Sequence, residues 1–381
     1  MSIKNVKYHM IKAIGTVLAT TMPILCFGAS CFSIPTKQMS DDVPTMQMSD
    51  NVPTMQMGYN VYYGSLHNHS NVSDGTGTPS QAYAYARDTA QLDFFGLADH
   101  AELISSKEWT NMKNTANSYN KDGSFVVFYG FEWSHSNIGH VAVINTTDYC
   151  DSSSSNTDTF PELVTWLSSR NGVAFFNHPG RQDFTGEEFS HFTTTPSSKF
   201  VGMELWNRSD AFDNYYYNNG YDLNDGNKGY YDEANANGWK VGAAGAHDNH
   251  TATWGTSNDY RLAVLAKAKT KAAIYEALQN RRFFSTLDKN ITMSFELNEA
   301  QMGAVISAGT YNAVINAGDG DSEVFTEVKL IKNGATLYTW TPNSTNPNIT
   351  QSLTTTSGDY YYTKVTQADG NEAISAPVYI Q

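Results

Sequence analysis

Short apolar runs that end in a histidine or a carboxylate recur along the chain. Five such runs predict buried strands: residues 61–66, 94–98, 125–129, 173–177 and 239–246. A ligand-type side chain follows each run within a few residues, whereas chance would scatter such side chains along helix and strand faces. Because barrels of parallel strands place their active sites at the carboxyl ends of the strands, we expect these side chains to meet at one edge of a sheet.

The first of these strand ends carries two histidines and an aspartate. His67 and His69 lie two residues apart at the end of an extended run, so their side chains project to the same side. Asp74 follows in the same loop. Imidazole and carboxylate together suit zinc, manganese or iron. A polar loop that happens to hold two histidines is the alternative for this stretch alone, but the repetition at four later strand ends favours a metal site.

Three segments between the apolar runs have helical patterns. They cover residues 79–91, 160–170 and 270–280. Pro79 suits the first turn of a helix, and Thr270 suits an N-cap. Strands that alternate with such helices predict an α/β fold class with a mainly parallel sheet.

Beyond Ile291 the sequence changes to short runs in which apolar and polar residues alternate, separated by residues typical of turns. The turn at residues 318–321 and the Asn333-Gly334 pair are examples. This texture predicts a small β-sandwich that packs on the preceding α/β domain. We expect no cluster of ligand-type side chains in it, and a structural role is favoured over a binding role.

Several of these motifs together resemble those of one enzyme family. The motifs are His67-x-His69 with Ser73-Asp74-Gly75, Leu97-Ala98-Asp99-His100, Asn177-His178-Pro179-Gly180 and Asp248-x-His250. They resemble the PHP (polymerase and histidinol phosphatase) superfamily of metallohydrolases. The stretches Phe131-Glu132-Trp133, Gly139-His140 and Tyr360-Tyr361-Tyr362 are more similar to its carbaryl-hydrolase-like (CehA/McbA-like) branch. The match covers roughly residues 59–381.

The resemblance implies a distorted (β/α)7 PHP-type barrel at residues 59–288. The β-sandwich domain predicted from the alternating pattern then covers residues 289–381. The resemblance also implies two or three divalent metal ions (Zn, Mn or Fe) as cofactors. The expected ligand sets are His67, His69, Glu132 and Asp248 for the first ion, Glu132, His140 and His178 for the second, and Asp74, His100 and His250 for the third. Asp74 stands where part of the superfamily has histidine.

Several of the other polar residues have more than one possible role. His135 could replace His140 as a ligand, although His140 opens the next apolar run and is preferred. His247 could donate a proton, support a ligand from outside the metal shell, or be structural. Asp99 is expected to orient a ligand without binding metal. Arg181 could meet a substrate phosphate or form a surface ion pair. The expected catalytic set is Glu132, Asp248, Arg181 and His247.

The function expected from this set is an exported metal-dependent hydrolase. The favoured activity is a phosphoesterase that uses a hydroxide bridging two of the metals, with a small-molecule phosphoester as substrate. A metal-dependent carbamate, ester or amide hydrolase is the first alternative. A non-catalytic metal- or ligand-binding module is the second.

The net charge and the cysteine content bear on nucleic-acid binding and on disulfide bonds. The formal net charge is −14 and no basic stripe is present, which disfavours binding to nucleic acid. The only cysteines are Cys26, Cys31 and Cys150, so a disulfide framework is excluded.

The N-terminal segment indicates export. Residues 1–30 have a basic start, an apolar stretch and small residues at the end, as in a signal peptide. Residues 31–58 contain a nine-residue tandem repeat with methionine and proline, which predicts a flexible linker. The product is therefore expected to be periplasmic or secreted, with a membrane contact only if Cys31 is lipidated. The Asn- and Tyr-rich stretch at residues 207–232 predicts a long loop that is either a substrate wall or a surface insertion.

Overall fold

The computed structural model describes residues 58–181, 183, 185–207 and 229–381. The predicted signal peptide, the repeat linker, Cys31 and most of the loop at residues 207–232 lie outside these residues, so those expectations stay predictions. Within the described ranges, no helix combines the length and the apolar character needed to span a membrane.

Seven strands carry or flank the predicted ligands. They are β1 (Asn60–Ser65), β2 (Phe94–His100), β3 (Val126–His135), β4 (Gly139–Ile144), β5 (Val173–Asn177), β6 (Phe200–Asn207) and β7 (Gly242–Ala246). The pairs β1–β2, β2–β3, β5–β6 and β6–β7 are parallel. β4 is antiparallel to β3 and β5, because the short turn between β3 and β4 leaves no room for a crossover helix. The α/β class is confirmed, with an antiparallel strand inserted into the parallel order.

The sheet curls until β7 returns to β1. Asn68 and Asn249, just beyond these two strands, form a parallel bridge. The His69 N–H donates to the Asn249 carbonyl at 2.9 Å, and the Asp248 N–H donates to the His67 carbonyl at 3.1 Å. These bonds hold the loops after β1 and β7 side by side, which brings their predicted ligands together.

Two further strands extend the sheet on the other side of β1. β8 (Arg261–Ala266) is antiparallel to β1, and β9 (Phe283–Thr286) is antiparallel to β8. β7 packs closely against β8 at Gly245, where a Cβ atom would lie 2.5 Å from the carbonyl oxygen of Arg261. Glycine is required there because any side chain would push the two strands apart.

Five α-helices lie in the described part of the chain. They are α1 (Pro79–Asp88), α2 (Ser106–Tyr119), α3 (Phe160–Ser168), α4 (Tyr230–Ala236) and α5 (Lys271–Gln279). α1, α3 and α5 confirm the three predicted helices, although each ends slightly earlier than expected. α2 and α4 were not predicted. The capping boxes Thr78/Gln81 and Ser105/Glu108 satisfy free N–H groups at the starts of α1 and α2.

The C-terminal strands divide between two sheets. They are β10 (Thr292–Leu297), β11 (Ala300–Gln301), β12 (Val305–Ile306), β13 (Thr310–Gly318), β14 (Phe325–Lys332), β15 (Ala335–Trp340), β16 (Asn348–Thr354), β17 (Tyr360–Gln367), β18 (Glu372–Ser375) and β19 (Val378–Ile380). β10, β11, β13 and β16 form a separate four-stranded sheet. The others join the large sheet, since β18 pairs with β9.

One apolar core spans the expected domain boundary. Phe295 and Ile315 of the small sheet share it with Val328 and Val365 of the large sheet, and with Phe284 of β9. The hydrogen-bonded sheet therefore continues across residues 288 and 289. The division into two domains at this point stays a prediction.

Candidate metal centre

The alternation of side chains along each strand decides where the predicted ligands point. On β3, Glu132 shares a face with Val126 and Phe128, which belong to the core inside the curled sheet, while Phe131 and Trp133 face the outer core. The same period of two places His100 and His140 on the inner face. All of these side chains lie at one rim, because β4 runs antiparallel and begins where its neighbours end.

The structure brings all nine predicted ligands into one cluster. The ligand atoms form overlapping groups, each within 4.8 Å: His69, Asp74, His100 and His250; His67, Glu132 and His178; His67, His69 and Asp248; and His100, Glu132 and His140. Because these groups share residues, the ligands form one continuous network rather than three isolated sets.

His67, His69 and Asp248 converge on one point. The Nε2 atoms of His67 and His69 are 3.2 Å apart. Asp248 Oδ1 lies 3.3 Å from the first and 3.1 Å from the second. Tetrahedral ligands of a zinc ion lie about 3.3–3.5 Å from one another. The three atoms thus have spacings that fit one small divalent cation.

Glu132 lies at the middle of the cluster and uses both carboxylate oxygens. Its Oε1 is 3.1 Å from His67 Nε2 and 3.4 Å from His178 Nε2, and 3.3 Å from His140 Nδ1. Its Oε2 is 2.9 Å from His100 Nδ1. A carboxylate with imidazoles on several sides can share its two oxygens between neighbouring cations.

Asp74, His100 and His250 form the more exposed end of the cluster. The Asp74 carboxylate lies 3.6 Å from His100 Nε2 and 3.4 Å from His250 Nε2. Its side chain is 49% exposed, whereas that of Glu132 is 1% exposed. A cation at this end would therefore keep more contact with water than one beside Glu132.

The donor set fits divalent metal binding. The Nδ1 atoms of His140 and His178 are buried and have no hydrogen-bond partner in the described structure. Buried polar atoms are normally satisfied, so the open Nδ1 of His140, which lies 3.3 Å from Glu132 Oε1, indicates a position suited to a cation. Mixed imidazole and carboxylate ligands are those expected for Zn, Mn or Fe.

The electrostatics of the cluster lead to the same conclusion. Burial opposes the charged form of His67, but Glu204, Asp248 and Glu132 raise its pKa well above the usual value. Burial lowers the pKa of His69 to about 4. The raised pKa of His67 means that the surrounding carboxylates favour a positive charge on the His67 ring, and a bound cation would supply positive charge at the same place.

The carboxylates stay ionised despite their burial. Desolvation alone would raise the pKa of Glu132, but His140, His67 and His100 hold it well below its usual value. Asp248 behaves in the same way: burial is opposed by His67 and His69, and the pKa is lowered. Two buried negative charges are thus available to balance bound metal.

Residues outside the predicted set support the ligands. Glu204 of β6 accepts hydrogen bonds from His67 Nδ1 at 2.8 Å and from the His178 N–H at 2.7 Å. Asn177 donates to Glu132 Oε1 at 2.7 Å, and Ser134 Oγ lies 2.6 Å from His100 Nδ1. Partners of this kind fix the ring orientation and the tautomer of a metal-binding histidine.

Sequence reasoning missed Glu204 because it missed β6. The apolar residues that flank Glu204 along the chain were a usable signal, since they place it within another strand. Asn177 was noticed only as part of a motif. Its role depends on the β4–β5 register, which pairs it with His140.

The backbone is strained at two of the ligands. His178 and Asp248 have φ angles of 25° and 47°. Non-glycine residues in this region need support from their surroundings, and the bonds from the His178 N–H to Glu204 and from the Asp248 N–H to His67 provide it.

The remaining predicted residues lie at or near the cluster with different contacts. Arg181 lies 3.3 Å from Asp248 Oδ2, so it reaches the centre. Asp99 accepts hydrogen bonds from Ser70 and Ser73 and so holds the loop between His69 and Asp74. Burial raises the pKa of the Asp99 carboxyl, although the hydrogen bonds from Ser70 and Ser73 oppose this shift.

His247 and His135 make contacts away from the nine ligands. The ring of His247 is fully buried and faces the Tyr260 carbonyl, the Ser257 hydroxyl and the Arg261 guanidinium. Burial and Arg261 lower its pKa well below the usual value. His135 accepts from the N–H groups of the β3–β4 turn. These contacts favour a structural role for both rings.

Comparison with known proteins gives distant similarities. No family model matches the chain. An uncharacterized protein of Chlamydia pneumoniae is 24% identical over 363 residues, which cover 84% of this chain and 57% of that protein. An uncharacterized protein of Chlamydia muridarum is 27% identical over 136 residues, which cover 31% of this chain and 22% of that protein. The chain thus spans little more than half the length of the first relative and about a fifth of the second.

Three solved structures are similar over much of the chain. A two-domain protein from Bacteroides vulgatus containing a predicted PHP-like metal-dependent phosphoesterase has a TM-score of 0.47 at 17% identity, and the alignment covers 83% of this chain and 93% of that one. A protein from Bifidobacterium adolescentis assigned as a metal-dependent phosphoesterase has a TM-score of 0.33 at 12% identity. The alignment covers 50% of this chain and 88% of that one. A lesion-specific endonuclease from Pyrococcus furiosus has a TM-score of 0.31 at 15% identity, and the alignment covers 58% of this chain and 56% of that one. At these values the similarities do not assign a function.

Proposed function

We propose that the chain is a metal-dependent hydrolase of the PHP type, in which the curled sheet is a distorted (β/α)7 barrel. The expected activity is that of a phosphoesterase with a small-molecule substrate. The carbaryl-hydrolase-like branch is retained as the part of the superfamily whose motifs are most similar.

The position of Glu132 carries the proposal. Its Oε1 faces His67, His140 and His178, and its Oε2 faces His100. A single buried carboxylate between imidazoles on several sides is the arrangement needed for a ligand that bridges two metal ions. A structural glutamate would need only one or two hydrogen-bond donors.

The resemblance assigns the ligands to three ions, and the overlap of the observed groups supports ligands that are shared between ions. His67, His69, Glu132 and Asp248 would hold the first ion, Glu132, His140 and His178 the second, and Asp74, His100 and His250 the third. When bound, the ions would lower the pKa of a bridging water toward neutrality and neutralise the charge that develops on the substrate. Zn, Mn and Fe fit this donor set.

The residues of the chain itself would bind and orient the substrate. Arg181 lies at the edge of the centre, where its planar guanidinium can hold a phosphate oxygen through two hydrogen bonds. Asp248 holds Arg181 in this position. A cationic side chain beside the metals favours an anionic phosphoester over a neutral carbamate or ester, which is the alternative.

Export remains part of the proposal and rests on the sequence. The basic and apolar pattern of residues 1–30 supports a signal peptide, and the repeat of residues 31–58 supports a linker before β1. The product would be periplasmic or secreted, with anchoring only through a lipidated Cys31. The net charge of −14 supports the absence of a nucleic-acid partner.

Glu132→Gln and a panel of substrates test the proposal together. Metal-reconstituted protein is assayed with aryl phosphates, phosphodiesters, aryl carbamates, aryl esters and a DNA oligonucleotide. We expect hydrolysis of phosphoesters, and a loss of activity of about a thousandfold or more in the variant with lower metal content. Glu296→Gln is the matched control, because Glu296 is also buried but accepts a hydrogen bond from Gln301 in the small sheet.

Each contrary result has a clear meaning. Turnover of carbamates or esters alone would move the enzyme to the alternative class, and cleavage of the oligonucleotide would overturn the small-molecule assignment. Glu132→Gln protein that keeps all its metal and loses activity only on poor leaving groups would mean that Glu132 is a general acid. Fully loaded protein that hydrolyses nothing would indicate a non-catalytic binding module.

A further inference from the structure

A second group of carboxylates lies outside the nine ligands, where the C-terminal strands begin. Asp288 follows β9, and Asp319 and Glu323 belong to the turn between β13 and β14. One oxygen of each carboxylate lies within 4.8 Å of the others. Among the described residues, no lysine, arginine or histidine forms an ion pair with these three groups. Arg261 acts on Asp288 electrostatically but forms no ion pair with it, so no basic side chain contacts these carboxylates in the described part of the chain.

Gln367 and Asn290 each donate a hydrogen bond to this group, and each has a buried carboxamide oxygen without a hydrogen-bond partner. Gln367 is 1% exposed, and its Nε2 donates to Asp319 Oδ2 at 3.0 Å, while its Oε1 has no hydrogen bond. Asn290 donates through its backbone N–H to Asp288 Oδ1 at 3.1 Å, and its Oδ1 is also buried and unpaired. Buried amide oxygens are normally satisfied, so both are open positions for a positive charge.

The chemistry of these donors differs from that of the metal centre. Every available atom is an oxygen, and the group contains no imidazole or thiolate. Calcium takes six to eight oxygens from carboxylates, amide groups and water in flexible arrangements, whereas magnesium needs a tight octahedron and holds its water strongly. An irregular set of three carboxylates and amide oxygens from separate segments suits calcium.

We propose that Asp288, Asp319 and Glu323 bind a calcium ion, and that the side-chain oxygen of Gln367 completes the site. The ion would join the segment after β9 to the β13–β14 turn and to β17. The sequence led us to expect no ligand cluster beyond Ile291. The structure differs because Asp288 lies before that point and meets the turn only in the folded chain.

Glu323→Gln is the informative change, because it removes one charged ligand oxygen and keeps the length of the side chain. Calcium is titrated into the full-length chain, with the metal centre loaded, by calorimetry and by thermal unfolding. Glu299→Gln is the matched control, since Glu299 is exposed and loses the same charge in the same region. Glu132→Gln is the second reference, because it perturbs only the metal centre.

The expected result is one calcium ion per chain in the wild type, in Glu299→Gln and in Glu132→Gln. The unfolding temperature should rise by about 5 °C when calcium exceeds Kd a hundredfold. In Glu323→Gln the affinity should fall about tenfold or more, and the rise at the same calcium concentration should shrink accordingly. Without calcium, this variant should melt no lower than the wild type, because one of three repelling charges is gone.

Four results would overturn the assignment. The first is Glu323→Gln that binds calcium as well as the wild type does. The second is a wild type that binds none. The third is binding lost in Glu132→Gln rather than in Glu323→Gln, which would place the ion in the metal centre. The fourth is an equal rise in unfolding temperature with magnesium at the same concentration, which would exclude calcium selectivity. None of these outcomes depends on whether the hydrolase proposal is correct.

Discussion

Replacing Glu204 by glutamine tests how the fold prepares His67 to bind a cation. The two side chains have the same shape, but glutamine has one accepting oxygen where glutamate has two. Glu204 Oε2 receives two hydrogen bonds, from the His178 N–H and from Asn207 Nδ2, both at 2.7 Å. Its Oε1 receives one, from His67 Nδ1 at 2.8 Å. The glutamine oxygen should therefore take the Oε2 position, and its NH₂ group should face His67.

The consequence for His67 is a change of tautomer. With glutamate, Nδ1 donates, which leaves Nε2, 3.2 Å from His69 Nε2, as the nitrogen that can bind a cation. With an NH₂ group opposite, Nδ1 must accept, so the ring proton moves to Nε2 and blocks the ligand position. Loss of such an outer partner lowers metal affinity by about 10- to 100-fold, which equals about 1.4–2.8 kcal/mol. The lost charge-assisted hydrogen bond should also destabilise the metal-free fold by about 1.5–3 kcal/mol.

Metal affinity is measured by competition with a chelator of known affinity, and stability by urea unfolding of the metal-free protein. Glu296→Gln is again the control, because it removes a buried carboxylate far from any histidine ring in the described contacts. If folded Glu204→Gln binds metal within about twofold of this control, the carboxylate does not set the His67 tautomer, and the reasoning is refuted.

Two further predictions concern the whole chain. Removing the metals with a chelator should lower the unfolding temperature by several degrees, because the ligands come from β2, β3 and β4 and from the loops after β1, β5 and β7. Equal melting curves in differential scanning fluorimetry with and without metal would contradict the metal centre. Deleting residues 1–57 should leave the circular dichroism spectrum and the turnover unchanged, since β1 begins at Asn60; lost turnover in a folded deletion variant would assign the repeat a role beyond a linker.

The local sequence determined which segments form strands and which strand ends carry the predicted ligands. Runs such as residues 94–98 are apolar on both faces, as expected for strands buried on two sides. A period of two then places His100 and Glu132 on the inner face once each strand is located. The starts of two helices could also be predicted from the sequence, because Pro79 and Thr270 favour a helix start through contacts within one helical turn. The unpredicted α2 carried the same kind of signal in Ser105 and Glu108.

Only the tertiary structure decided how the ligands are shared and supported. Glu204 lies 137 residues from His67 and reaches it through the curl of the sheet, which no local pattern encodes. The antiparallel entry of β4 places His140 beside Asn177, and the bridge between Asn68 and Asn249 joins the first and last ligand loops. The physical reason is that strand identity follows from short-range side-chain patterns, whereas register, curl and the meeting of distant carboxylates depend on the packing of the whole chain.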